Sequence, residues 1–238
     1  TYVDATHLTV SVSVASDATV GARDVTVTNT DGGTSTATGA FTVTAPPTLT
    51  SVSPSSRGQG AALASVAITG TGFQSGAVVS ISGDGLTVGS TAFTNSTTLT
   101  VPVTVSSTAT VGDRTITVTN ADGGVVTLAS GFAVTDAPVA SSASPSSRGQ
   151  GAAEATVTIT GTNFVSGATV SISGTGLTVG STTFVDSTHL TVPVAVASNA
   201  TVGARSVTVT NNDGGTSTTA GVFTVNAAPA AKIRRAHV

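Results

Sequence analysis

The chain has 238 residues, of which only 8% are charged, with a formal net charge of −3 and no cysteine. This composition excludes a disulfide framework, a thiol nucleophile and a thiolate metal site, and it leaves no basic face for nucleic acid and no cationic amphipathic segment for a membrane surface. A chain dominated by Thr, Ser, Val, Ala and Gly with so little charge is the reverse of a disordered one, and alternating β-branched strands account for the bias.

No apolar run approaches the roughly 20 residues of a membrane span. Residues 1–20 lack the basic-then-apolar layout of a signal peptide. Because the first residues read as the middle of a repeat, a leader further upstream stays open.

Residues 1–46 match the second half of a unit that recurs later. Thr1-Tyr-Val-Asp-Ala-Thr-His-Leu-Thr-Val aligns with Thr183-Phe-Val-Asp-Ser-Thr-His-Leu-Thr-Val at an offset of 182 residues. The unit is marked by Thr-Val-Thr-Asn-x-Asp-Gly-Gly at Thr26 to Gly33, Thr117 to Gly124 and Thr208 to Gly215, a constant spacing of 91 residues. Each copy reads as a strand end, a turn and the start of a partner strand, so it predicts a hairpin. A period of this size approaches the roughly 100 residues of an immunoglobulin-type sandwich.

The first complete repeat is expected at 47–137, with seven short strands near Thr48 to Ser53, Ala64 to Thr69, Ala77 to Ser82, Leu86 to Phe93, Thr98 to Val105, Arg114 to Thr119 and Val125 to Val134. In the fifth, Leu99, Val101, Val103 and Val105 share one face, with Thr100, Pro102 and Thr104 on the other. Its counterparts are Leu8 to Val14 and Leu190 to Val196. A proline cannot donate to a ladder, so Pro102 and Pro193 predict an edge strand.

The second complete repeat is expected at 138–228. Short Ala/Pro junctions at Thr44 to Leu49 and Thr135 to Ala140 should hold successive units in a loosely fixed line. A tail at 229–238 breaks the pattern, and its three basic residues read as a solvated end. The fold class is therefore all-β: tandem immunoglobulin-like sandwiches of about seven strands each.

All eight aromatic residues fall into three slots per repeat: Phe73 and Phe164; Tyr2, Phe93 and Phe184; Phe41, Phe132 and Phe223. Every one is expected to act as a core pin, leaving none for an exposed sugar-stacking platform.

Pro47 to Val52 followed by Pro54, then Ile68-Thr-Gly-Thr-Gly-Phe73 and Gly76-Ala-Val-Val-Ser-Ile81, resemble the opening half of an IPT/TIG domain (immunoglobulin-like, plexin, transcription factor). The next repeat supplies Ile159-Thr-Gly-Thr-Asn-Phe164 and Gly167-Ala-Thr-Val-Ser-Ile172. The closing hairpin followed by Gly-x-Phe, as in Gly221-Val-Phe223, is similar to bacterial members. The resemblance covers almost the whole chain apart from the tail. It implies stacked modules of large secreted or surface proteins, acting as spacers, stalks, adhesin shafts or accessory domains of glycan-acting enzymes. The basic DNA-binding loops of the transcription-factor members are not matched.

Candidate chemistry can be weighed by whether it recurs at the 91-residue offset. Asp31, Asp122 and Asp213 are the only acidic residues kept in all three copies, and they are the calcium candidates. Calcium needs six to eight oxygens. A single Asp beside Asn and Gly is better read as a turn residue bonding its own backbone.

His7 and His189 correspond to Thr98, so histidine is replaceable in the scaffold. No Gly-x-Ser-x-Gly elbow is present. Asp84, Asp113 and Glu154 are not repeated, so no glycosidase carboxylate pair can be placed.

Arg23, Arg114 and Arg205 recur before the hairpin strand, and Arg57 and Arg148 recur in Ser-Ser-Arg-Gly-Gln-Gly. Arg57 and Arg148 are candidates for gripping a partner, with a bond inside the unit as the preferred alternative. No catalytic, metal or cofactor-binding residue is assigned.

The sequence thus predicts a non-enzymatic structural module of an extracellular or cell-surface protein, a stalk, spacer or fibre shaft. A carbohydrate- or protein-binding adhesin module is the first alternative. The second is a filament subunit in which another chain completes the half repeat. Expected partners are other immunoglobulin-like repeats of the same or a neighbouring chain, with a surface glycan or protein open and nucleic acid excluded.

Overall fold

A computed structural model describes residues 1–229; the basic tail and His237 fall outside the described residues. The secondary structure among them is all strand. The N-terminal stretch holds β1 (Tyr2–Asp4), β2 (His7–Leu8), β3 (Gly21–Thr28) and β4 (Thr34–Val43). Next come β5 (Thr48–Ser53), β6 (Ser56–Gly58), β7 (Ala64–Thr71), β8 (Val78–Ile81), β9 (Leu86–Val88), β10 (Ala92–Asn95), β11 (Thr98–Val105), β12 (Gly112–Thr119) and β13 (Val125–Thr135). The same nine recur as β14 (Val139–Ser144), β15 (Ser147–Gly149), β16 (Ala155–Thr162), β17 (Thr169–Ile172), β18 (Leu177–Val179), β19 (Thr183–Asp186), β20 (His189–Val196), β21 (Gly203–Thr210) and β22 (Thr216–Asn226).

Each set of nine makes two facing sheets. In the first, β10-β11-β7-β5, with β9 also on β11, faces β6-β13-β12-β8; the second repeats this order strand for strand. Period-2 alternation decides what lies between the sheets. On β11, Leu99, Val101, Val103 and Val105 are buried while the intervening Thr and Pro are half-buried. Val66, Ile68, Ile116, Val118 and Phe132 close the same core, and Val157, Ile159, Val207, Val209 and Phe223 close its counterpart. Each such side chain contributes about 1.5–3 kcal/mol on burial, so each sandwich has its own driving force. The chain is a tandem of immunoglobulin-like β-sandwiches.

The structure departs from the sequence reading in four places. Leu86 to Phe93 is two strands, β9 and β10. Ser56 to Gly58 is an additional strand running parallel to β13. The strand carrying Pro102 is not an edge: β11 pairs with β7 on one flank and with β9 and β10 on the other. The Gly89 amide donates to the Pro102 carbonyl at 2.8 Å, so the proline nitrogen faces that flank, where the partner strand is interrupted and no acceptor is waiting.

The fourth concerns the aromatic slots. Phe73, Phe164, Phe132 and Phe223 are buried, but Phe93, on an outer strand of its sheet, is 40% exposed, so it is not a core pin.

In the first 43 residues β1 pairs only with β2, and β3 only with β4. Residues 9–14, the counterpart of most of β11, form no strand, and the described residues hold no equivalent of β7 for them to pair with. Among the described residues Tyr2, Val10, Val12, Val14, Val25, Val27 and Phe41 are exposed.

Candidate module interface

The three Asn-x-Asp-Gly-Gly turns have one geometry. The Asn120 amide donates to the Gly124 carbonyl at 2.8 Å and the Gly123 amide to the Asn120 carbonyl at 3.0 Å. Gly123 sits at φ +88°, a conformation that favours glycine. The Gly124 amide donates to Asp122 Oδ1 at 3.0 Å, an Asx turn.

Asn120 is buried, with its Nδ2 donating to the Gly72 carbonyl at 2.7 Å and its Oδ1 accepting from the Gln74 amide at 3.2 Å. Asn211 does the same toward Asn163 and Val165. The Asn therefore locks the hairpin to the loop that follows β7 or β16, which the sequence did not show.

The second oxygen of the repeated Asp reaches into the preceding unit. Thr44 Oγ1 donates to Asp122 Oδ2 at 2.7 Å, and Thr135 Oγ1 donates to Asp213 Oδ2 at 2.6 Å. Gln74 Nε2 adds a 2.6 Å bond to Asp122 Oδ2. The Gly124 amide first, then Thr44 and Gln74, hold the Asp122 carboxyl below its ordinary value. Both oxygens of Asp122 are thus occupied by donors of the protein. Asp31 keeps the turn, accepting from the Gly33 amide at 3.0 Å. No group of three or more His, Asp or Glu able to hold a metal occurs among the described residues.

The opposite side of the joint is the Ser-Ser-Arg-Gly-Gln-Gly loop. The Gln59 amide donates to the Thr135 carbonyl at 2.9 Å, and its Nε2 donates to the Ala109 carbonyl at 2.7 Å. Its Oε1 accepts from the Ala137 amide at 3.3 Å. With its orientation fixed, the Gln59 carbonyl accepts from the Thr216 amide of the next unit at 3.0 Å.

Gly58 lies flat on the same hairpin: a Cβ there would stand 2.5 Å from Gly215 Cα. A Cβ on Gly214 would meet Arg57 Nη2 at 2.8 Å. Glycine on both sides lets two main chains touch.

Arg57 donates through Nη2 to the Ala62 carbonyl at 2.6 Å, and Arg148 binds the Ala153 carbonyl in the same way. Their guanidinium groups are tied to their own loops, and Arg57 also lies against the neighbouring hairpin. Arg114 and Arg205 are buried and bind the Thr110 and Thr201 carbonyls.

His7 and His189 lie elsewhere. His189 Nδ1 is 3.0 Å from Asp186 Oδ1, on the surface, and His7 repeats the arrangement with Asp4. The Thr188 hydroxyl and amide, then His189, lower the Asp186 carboxyl to about 2. In the first complete repeat Asn95 accepts the same two bonds from Thr97, so the motif is a turn that works without a charge. Sequence reading singled out Asp122, Asp213 and Arg57, which the structure gathers at joints. It missed Thr44, Thr135, Gly58 and Gln59, whose only signal was recurrence.

Residues 138–225 match the family model described as IPT/TIG domain. No curated protein is similar enough to the chain to count as a relative. Among solved structures, the full extracellular region of plexin A4 is 17% identical with a TM-score of 0.46, covering 76% of this chain and 16% of that one. The Escherichia coli adhesin FdeC is 19% identical with a TM-score of 0.30, over 77% of this chain and 64% of its own. The Yersinia pseudotuberculosis adhesin InvE is 15% identical with a TM-score of 0.31, over 74% and 58%. The chain spans less than two thirds of each.

Proposed function

We propose, from the premise that residues 138–225 are an IPT/TIG domain, that the chain is a structural spacer of an extracellular or cell-surface protein. The observation that carries this reading is a joint made twice. Thr44 binds Asp122, and 91 residues later Thr135 binds Asp213. A bond that recurs at the repeat spacing sets successive units in a recurring relation, which favours a shaft of regular form. Each sandwich resists unfolding through its own core, and each joint limits bending. The reading assigns the chain no catalytic chemistry. No helix among the described residues is long and apolar enough to cross a membrane.

Small-angle scattering from the full chain tests the proposal. An elongated particle is expected, each complete repeat adding on the order of 40 Å. Gly58→Val, whose Cβ would meet Gly215 Cα at 2.5 Å, should broaden the distance distribution while leaving thermal unfolding unchanged. A compact particle, or wild-type scattering from the variant, would overturn the reading.

A further inference from the structure

The pairings of β6 with β13 and of β15 with β22 are parallel, whereas the strands beside them run antiparallel. In the first complete repeat β6 follows the strand at which the chain enters, and β13 is the strand from which it leaves. Tension along the chain therefore draws β6 back from its Ser56 end and β13 forward from its Thr135 end. Parallel strands pulled in this way slide past one another, so the evenly spaced bonds between them share the load instead of opening one after another. The Ala133 amide donates to the Ser55 carbonyl and the Gln59 amide to the Thr135 carbonyl, both at 2.9 Å, on either side of the Ser56–Ala133, Arg57–Val134 and Gly58–Thr135 pairs. In the second repeat the Thr224 amide binds the Ser146 carbonyl and the Gln150 amide the Asn226 carbonyl at the same distance.

The far end of this pair is where the following unit docks. Thr135, the last residue of β13, donates to Asp213, while the Gln59 carbonyl, next to the last residue of β6, accepts from the Thr216 amide at 3.0 Å. Gly58 lies against Gly215 between them. The Asn211–Thr216 hairpin thus holds the ends of both strands at once. For β6 to slide past β13, the Gln59 carbonyl must leave Thr216 while Thr135 stays on Asp213.

We infer that the β6–β13 pair is a force-bearing clamp closed by the docked hairpin of the following unit, so that a sandwich resists tension better with its neighbour seated than without. The inference deepens the spacer reading and rests on it for the direction of load. The two fail separately, since scattering reads the form of the shaft and pulling reads the clamp.

Single-molecule pulling on the full chain is the test. The sequence has no cysteine, so Ala45→Cys and Asp136→Cys, at two exposed positions, put handles on either side of one sandwich and leave its neighbour in place. Under constant load this unit should open in one step on the order of 300 Å of contour length. Gln59→Pro suits the second position of the Gly58–Ala61 turn, where Gly60 has φ +78° and the Ala61 amide reaches the Gly58 carbonyl at 3.1 Å. It deletes the amide that binds Thr135. Under the same load it should open roughly tenfold faster than Gln59→Ala, which loses the same side chain and keeps that amide. Gly215→Val, whose Cβ would stand 2.9 Å from Gly58 Cα, changes neither strand of the clamp. It should also open the 47–137 unit several-fold faster under load, with the melting temperature of the wild type. Equal rates for Gln59→Pro and Gln59→Ala would overturn the clamp, and a wild-type rate for Gly215→Val would overturn the neighbour's part in it.

Discussion

Ser130 adopts φ +52°, where the other two copies place Gly39 and Gly221 at +66° and +73°. The register slips there: three residues of β13 stand opposite the single Thr115 of β12, between the Arg114–Phe132 and Ile116–Leu128 pairs. A bulge of this kind asks one residue to turn left-handed. The left-handed backbone costs a non-glycine residue about 1–2 kcal/mol, while glycine loses about 0.5–1 kcal/mol of chain entropy. The first term is larger, so Ser130→Gly should stabilise its sandwich by about 0.5–1 kcal/mol, read as a higher melting temperature; a lower one would show that the serine side chain holds the bulge. The left-handed demand was legible only by comparing copies, since a serine in a Thr-rich strand carries no turn signal alone.

At the level of the strands, much was legible, because alternation is a local property: the buried face of β11 follows from Leu99, Val101, Val103 and Val105 standing two apart. What was not legible depended on distant chain. β6 has three residues, no alternation and a partner more than seventy residues away. The flank of Pro102 is set by where its neighbours break off, which no proline announces. The Ile-Thr-Gly-Thr motif was legible as a signature without its cause. A Cβ on Gly70 would lie 1.9 Å from the Thr48 carbonyl oxygen and 2.6 Å from Phe73 Cζ, and Gly161 meets Val139 and Phe164 likewise. The glycine lets β5 close on β7 at the bulge between Leu49 and Ser51 while the ring lies against the same spot. Gly70→Ala must displace backbone, so it should cost about 3 kcal/mol or more in denaturant unfolding, with Gly161→Ala alike. A loss under about 1 kcal/mol would mean that β5 can move aside freely.

For the molecule as a whole, the carboxylate at the joint between Thr44 and Asp122 makes alignment sensitive to pH. Asp122 accepts from Gly124, Thr44 and Gln74, and its carboxyl titrates below the ordinary 3.8. A lowered carboxylate lends its stabilisation fully above the unfolded value and loses it as pH falls through the folded one. The joint between Thr44 and Asp122 should therefore be intact at neutral pH and loosen only below 3.8, seen as a broader scattering distribution before either core melts. Unchanged scattering down to acid unfolding would show that the Thr44–Asp122 bond does not set the alignment of this joint. The main-chain contacts at the Thr135–Asp213 joint have an evolutionary corollary. Gly58, Gly215 and the Gln59 carbonyl meet through peptide backbone and hydrogen, and side chains enter through the Thr135–Asp213 bond and through Arg57, which lies against Gly214. Copying one 91-residue period in frame would therefore supply a new unit already fitted at both ends, and the exposed Thr and Ser positions could drift without disturbing the fit. Length in such a protein can be tuned by gene duplication or deletion alone.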